Sequence, residues 1–178
     1  MDMVPDLFNK INTLCFSGHR YLGEDFDEAR FLRLINAAAT RGFNTFICGG
    51  ALGFDTYAAE AVLKLKRNFP SIKLHLYLPC NDQDSRWSAA DRKRYRKILS
   101  RADYVDCPDV PYYDGCMRDR NYRMVDASSL CICYLNNDLR SGTAQTVRYA
   151  LKEGLVAMNV SSDIHSVFWD IKSKYENG

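Results

Sequence analysis

The chain has 178 residues, enough for one compact domain that buries roughly 70% of the surface its unfolded form exposes. Its 24 Lys and Arg against 22 Asp and Glu leave a formal charge of +2. No global field therefore marks it as a nucleic-acid or membrane-surface binder, and any affinity for anions has to be local.

A hydrophobic share of 47% excludes the disordered and fibrous classes. No stretch approaches the ~18 apolar residues of a membrane span, and the opening MDMVPDLFNKIN lacks a basic segment followed by an apolar run, which points to the cytoplasm. In chain order, TLCFSG (13–18) reads as a first strand. The segment 27–42 follows as a helix whose Phe31, Leu34, Ile35 and Ala38 share one face and which Gly42 ends. NTFICGG (44–50) is a second strand, followed by a helix over 55–69 with Asp55 as its N-cap. The segment IKLHLYLP (72–79) alternates leucine with Lys73, His75 and Tyr77, the pattern of an edge strand.

A charged helix over 88–101 and a short strand at 104–107 come next. A long loop carrying Pro108, Pro111, Tyr112, Tyr113 and Gly115 then leads into a helix over 116–128. LCICYLN (130–136) reads as a strand covered on both faces, 142–154 as a helix and LVAMNV (155–160) as the last strand. Ile164, Val167, Phe168, Ile171 and Tyr175 mark a final amphipathic helix. Seven cysteines is an odd number, and Cys15, Cys48, Cys131 and Cys133 lie inside apolar runs, where free cysteine acts as a small hydrophobe. Cys131 and Cys133 have no second pair of zinc-ligand spacing nearby, so neither a disulfide framework nor a metal site is expected.

The alternation of strand and helix predicts an α/β fold: a three-layer, Rossmann-like, doubly wound, mostly parallel sheet flanked by helices, as a single domain over 1–178. Ligands of such sheets bind at the carboxyl ends of the strands, where the strand order reverses. A strand order of 3-2-1-4-5-6 would bring the loops after the first, second, fourth and fifth strands to one rim.

On that rim, CGGALGFD (48–55) is the most informative segment. Gly49, Gly50 and Gly53, with Ala51 among them, let backbone N–H groups approach an anion beside a helix N-terminus. A tight strand-to-helix turn explains the same glycines equally well. Asp55 would repel a phosphate, so it either caps the helix or faces ribose hydroxyls. After the first strand, Gly18 is followed by His19 and Arg20, a guanidinium able to grip a phosphate and an imidazole able to add a bond. The alternative pairs Arg20 with Asp25 or Glu28.

Ser141, Gly142 and Thr143 supply a hydroxyl and free N–H groups, or a simple N-cap. Arg120 and Asn121 are within reach of the rim, although a surface ion pair is the cheaper explanation of any one arginine. Gln83 and Trp87 offer an amide and a stacking ring to a nucleobase, or cover a helix flank. RKRYRK (92–97) groups five basic residues around Tyr95, a pattern for single-stranded nucleic acid that the small net charge makes more suitable as a solvated face. The G-x-G-x-x-G of dinucleotide dehydrogenases and a Walker loop are both missing.

CFSGHR, GGALGFDTYAAE, LPC…Q…W, YYDGCMRDRNYRMVD and SGTAQTVRYAL, in this order from Thr13 to Val160, resemble the YpsA-like branch of the SLOG superfamily. The resemblance implies a Rossmann-like fold binding a nucleotide or nucleotide-derived ligand related to NAD or ADP-ribose. It assigns the binding to Gly18, His19, Arg20, Gly49, Gly50, Gly53, Asp55, Arg120, Asn121, Gly142 and Thr143. No settled reaction and no certain cofactor come with it.

LONELY GUY phosphoribohydrolases share the superfamily and carry P-G-G-x-G-T-x-x-E, ending in a catalytic glutamate. Here LRSGTAQT puts Thr146 at that place, which argues against N-glycosidic cleavage by that route and leaves Asp55 or Asp114 for any other. DNA-processing protein A is a similar relative that keeps single-stranded DNA in view.

The expectation is a binding protein or sensor. Arg20 and the N–H groups of 49–53 and 142–143 hold phosphate, Asp55 meets ribose, and Gln83, Trp87 or the Tyr112-Tyr113 loop encloses the base. Its rivals are a hydrolase acting in the same pocket and a nucleic-acid binder working through 92–97. A mouth shared between two copies of the chain is equally compatible with the residues.

Overall fold

The computed structural model describes residues 10–177; residues 1–9 and 178 lie outside the described part. A short 3-10 turn at Lys10–Asn12 leads into β1 (Thr13–Gly18), α1 (Glu28–Thr40), β2 (Thr45–Cys48), α2 (Phe54–Leu65), β3 (Lys73–Tyr77) and α3 (Ala89–Arg101). These are followed by β4 (Tyr104–Asp106), α4 (Cys116–Asp126), β5 (Leu130–Tyr134), α5 (Gly142–Lys152), β6 (Val156–Asn159) and α6 (Phe168–Glu176). The six strands form one parallel sheet in the order β4-β3-β2-β1-β5-β6. This is the expected three-layer α/β architecture.

The strand order differs from the 3-2-1-4-5-6 expectation. β3 is an inner strand, and β4 is the edge. His75 and Tyr77 are buried in spite of their polarity, whereas Tyr104 and Val105 of the three-residue β4 are 38% and 37% exposed. Leucine alternation in β3 therefore reflects two covered faces of different chemistry and not one wet face.

Right-handed crossovers explain the layers. Stepping outward from β1 to β4 keeps α1, α2 and α3 on one face. The chain then crosses back through α4, which touches β1 and β3, and steps from β5 to β6 with α5 on the other face. The switch point thus lies between β1 and β5.

Strand alternation feeds the two cores. Leu14, Phe16, Phe46, Ile132 and Tyr134 face α1 and α2, and Cys15, Ile47, Cys131, Cys133 and Leu135 face α4 and α5. Phe16, Phe31 and Phe54 meet with ring centroids 5.6 to 6.2 Å apart, which locks α1 and α2 against the exit of β1.

Helix starts follow local chemistry. Asp27 accepts the Arg30 N–H at 2.8 Å at the head of α1. Ser88 and Asp91 exchange bonds at the head of α3, and Ser141 accepts the Ala144 N–H at 3.1 Å at the head of α5. Two expectations are corrected. The N-cap of α2 is Gly53, so Asp55 lies inside the first turn. The last helix starts at Phe168, because Asp163 caps a turn through the His165 N–H that leaves Ile164 82% exposed. No described helix is long and apolar enough to cross a membrane.

Candidate functional site

The exit of β1 is pressed against the start of α2. A Cβ on Gly18 would enter the Phe54 ring, and one on Gly53, whose φ is +80°, would enter the Arg20 backbone. The Phe54 N–H donates to the His19 carbonyl at 3.0 Å and closes the junction. These contacts turn the chain so that the His19 and Arg20 side chains emerge on the carboxyl rim of the sheet.

His19 Nε2 accepts the Asn136 N–H at 3.2 Å, and its ring stands edge-on to Tyr134. Burial lowers its pKa, and Asp138, Asp25 and the Asn136 bond only partly oppose this, so the imidazole is neutral at physiological pH. Arg20 is exposed. The alternative acids are occupied elsewhere: Asp25 accepts from Tyr134 and Ser161, each at 2.6 Å, and Glu28 accepts from Tyr57 at 2.7 Å. Among the described residues neither acid pairs with Arg20.

The glycine turn after β2 works differently from its sequence reading. Asp55 Oδ2 accepts the Ala51 N–H at 3.3 Å, and the nearby Gly49 amide also favours the charged carboxylate. The anion held by these amides is the chain's own. Gly49 is glycine because a Cβ would collide with the Arg120 guanidinium, and Gly50, at φ +70°, packs against Leu78, Gln83 and Tyr95. Ala51 and Asp55 line the rim cavity, whereas Gly49, Gly50 and Gly53 shape its wall from behind.

Arg120 is buried on α4 and donates to the Gly49 carbonyl, to the Tyr77 carbonyl at 3.4 Å and to Asn121 Oδ1 at 2.8 Å. Asn121 donates to Thr146 Oγ1 at 2.9 Å, and Thr146 in turn donates to the Gly142 carbonyl at 2.8 Å. This chain of bonds ties the first turn of α5 to the ends of β2 and β3. Thr146, the residue at the LONELY GUY glutamate place, is a link in that strut. Burial raises the pKa of Asp55, against the opposing pull of Arg120, and burial lowers that of Arg120, against the pull of Asp55. Each charge lies in the field of the other, while its own bonds go to backbone groups and Asn121.

Ser17, Gly18, His19, Arg20, Ala51 and Asp55 on one side face Arg120, Asn121, Ser141, Gly142 and Thr143 on the other, across a cavity of about 270 Å³. The N–H groups of Gly142 and Thr143 open α5 and have no acceptor within the helix. Among the described residues no neighbour lies within 4 Å of where a Gly142 Cβ would be, so the approach to them is open. The cavity sits at the β1–β5 switch point.

Gln83 and Trp87 line a second cavity of about 640 Å³, with Tyr112 and Arg86. Arg20 and Met117 line both cavities. Gln83 Nε2 donates to Tyr95 Oη at 2.9 Å, and Trp87 packs edge-on against Tyr95 at 5.1 Å. The loop after β4 is pinned here because Asp82 accepts the Tyr112 N–H at 2.8 Å.

Met117 and Arg86 were missed by the reading of the sequence. Met117 stands one turn before Arg120 and Asn121 on α4, a spacing that signals its position. The run 92–97 does not form one stripe. Tyr95 is buried, and Arg94 is forked onto Glu60 at 2.7 and 2.6 Å.

The profile of the YspA SLOG family matches residues 29–162. The UPF0398 protein of Halalkalibacterium halodurans is 36% identical over 106 residues, 60% of this chain and 56% of that one. A UPF0398 protein of Bacillus thuringiensis is 26% identical over 138 residues, 76% of this chain and 72% of that one. This chain thus spans little more than half the length of the first relative.

Among solved structures, DNA processing protein A from Helicobacter pylori, determined for its single-stranded DNA binding mode, matches with a TM-score of 0.66 at 18% identity. The match covers 94% of this chain and 80% of that one. The Streptococcus pneumoniae protein of the same name matches at 0.65 and 17%, over 94% and 56%. At these identities the likeness is one of fold.

Proposed function

The chain belongs to the YspA SLOG family, and from that premise we propose that it binds a nucleotide or nucleotide-derived ligand, of the NAD or ADP-ribose kind, at the β1–β5 rim. The observation that carries this reading is the meeting of Arg20 with the free amides of Gly142 and Thr143 across one cavity. Phosphate lies between them, the Asp55 carboxylate accepts from ribose hydroxyls, and the base enters the larger cavity beside Trp87, Gln83 and Tyr112. The ligand's charge is met by α5 and Arg20 and not by the glycine turn, whose amides serve Asp55.

The energies require both cavities. A helix N-terminus contributes ~0.3–1 kcal/mol, up to ~2 when sheltered, and a charge-assisted bond from Arg20 ~1.5–3 kcal/mol. Micromolar affinity needs about 8 kcal/mol, so a stacked base has to supply much of the rest. A thermal-shift panel of nucleoside phosphates, ADP-ribose and NAD tests the reading. A ligand at a hundredfold its Kd stabilises by about 2.7 kcal/mol, a rise on the order of 5–10 °C. Arg20→Gln should abolish the shift while keeping the unliganded melting temperature. No shift with any of these compounds on the folded wild type refutes the proposal.

A second reading, single-stranded nucleic acid along the same rim, is favoured by the fold shared with the H. pylori protein. It predicts that oligonucleotides give the larger shift and that mononucleotides give none.

A further inference from the structure

A second charged feature lies away from the rim, on the outer surface between α2 and α3. There a groove of about 320 Å³ is walled by Lys64 and Arg67 from one helix and its extension and by Lys97 and Arg101 from the other. All four are exposed, and among the described residues none comes within ion-pair distance of an acid. The one acid on the wall, Glu60, has both oxygens taken by Arg94. The Arg94 bonds, with Lys64 and Lys97 adding to them, hold its carboxyl below the ordinary value against burial, so Glu60 stays ionised yet already spent. Four uncompensated cations in one groove exceed the +2 of the whole chain.

Helix ends explain part of this. A cation in a last turn complements the helix dipole, which accounts for Lys64 and Arg101. Arg67 lies beyond the end of α2, and Lys97 stands a turn before Arg101, so neither is needed there. The cations come as two pairs, each about one helical turn apart along its chain segment, on facing walls. Besides them and Glu60, aliphatic Leu63 and Ile98 line the groove among the described residues, and Tyr95 is buried away from it. Among the described residues no aromatic ring lines the groove to stack on a base.

We infer that this groove docks the phosphate backbone of a nucleic acid, contacting phosphates without reading bases, at a site separate from the rim cavity. Repeated phosphates meet the paired cations, and the lack of an aromatic wall makes the contact independent of sequence.

The test is the salt dependence of oligonucleotide binding by fluorescence anisotropy. Four phosphate contacts to a single strand give a slope of log K against log salt near −3, a loss of about 50-fold between 50 and 200 mM. Oligo-dT and oligo-dA should bind alike. The variant carrying Lys64→Gln, Arg67→Gln, Lys97→Gln and Arg101→Gln should flatten the slope towards zero, with circular dichroism and melting checking its fold. Arg67→Glu alone, beyond the end of α2, should weaken binding in an otherwise unperturbed helix. Arg20→Gln should leave the slope unchanged, which separates this groove from the rim. The inference is overturned if the four-fold variant binds with the wild-type slope, if Arg20→Gln removes the affinity instead, or if inorganic polyphosphate binds while oligonucleotides do not.

Discussion

Arg120→Met is the most informative perturbation of the rim. The change keeps the bulk of the side chain on α4 but removes the bonds to the Gly49 and Tyr77 carbonyls and to Asn121. It also leaves Asp55 buried without its cation. A buried carbonyl left without a donor costs ~1–3 kcal/mol, and Asp55 also loses the field of a guanidinium that lies beyond ion-pair distance. About 2 kcal/mol is expected, which for a chain of this length lowers Tm by roughly 4–8 °C.

The pH dependence identifies the cause. Asp55 already titrates above its ordinary value because burial outweighs the help of Arg120, and removing Arg120 raises it further. A carboxyl raised in the folded state costs nothing while it is protonated in both states, below about pH 4, and costs progressively more as pH rises through its folded value. Urea titrations at pH 4.5 and 7.5 should therefore show a smaller deficit at the lower pH. Asp55→Asn in the Arg120→Met background should recover at least half of the loss at pH 7.5. A deficit under about 1 kcal/mol, equal at both pH values and not relieved by Asp55→Asn, would refute the idea that this pair anchors the rim.

Gly53→Ala places a Cβ into the Arg20 backbone at a φ of +80° and should cost about 2 kcal/mol or more by urea denaturation, taking the ligand-induced thermal shift with it. Gly142→Ala, with open space around its Cβ, should keep or raise stability by up to ~1 kcal/mol while weakening phosphate binding at the α5 amides. Equal stability of the two variants would contradict the close approach at Gly53. His19 and His75 both titrate below the ordinary histidine value, chiefly through burial, so the folded state favours their neutral forms. Stability is then complete above about pH 6.5 and falls as pH drops through the lowered values. His19→Gln should reduce the slope of Tm against pH between 7 and 5 and leave the part due to His75, whereas an unchanged slope would show that His19 is not held neutral.

Much of the rim could be read from local sequence. His19, Arg20, Ser141, Gly142 and Thr143 follow strands or open a helix, and a strand end or helix start is set by neighbours in the chain. Gln83 and Trp87 were legible as residue types suited to a base, but their shared cavity with Tyr112 depends on the loop after β4 being pinned by Asp82.

The partners of the glycine turn were not legible. Its spacing is the same whether its amides serve a phosphate or Asp55, and only the arrival of Arg120 from α4 decides between them. The same applies to RKRYRK, whose charges are adjacent in sequence while only Lys97 reaches the groove, which Arg101, Lys64 and Arg67 complete.

What the sequence by itself determined is the alternation of covered strands and amphipathic helices, the caps, and the set of groups available at each strand end, because these depend on side chains a few positions apart. Only the tertiary structure decided that β5 and not β4 lies beside β1, that α4 crosses back to bury Arg120 on the Gly49 and Tyr77 carbonyls, and which anion each amide faces. Pairings across tens of residues are selected by the packing of whole layers, and no local spacing encodes them.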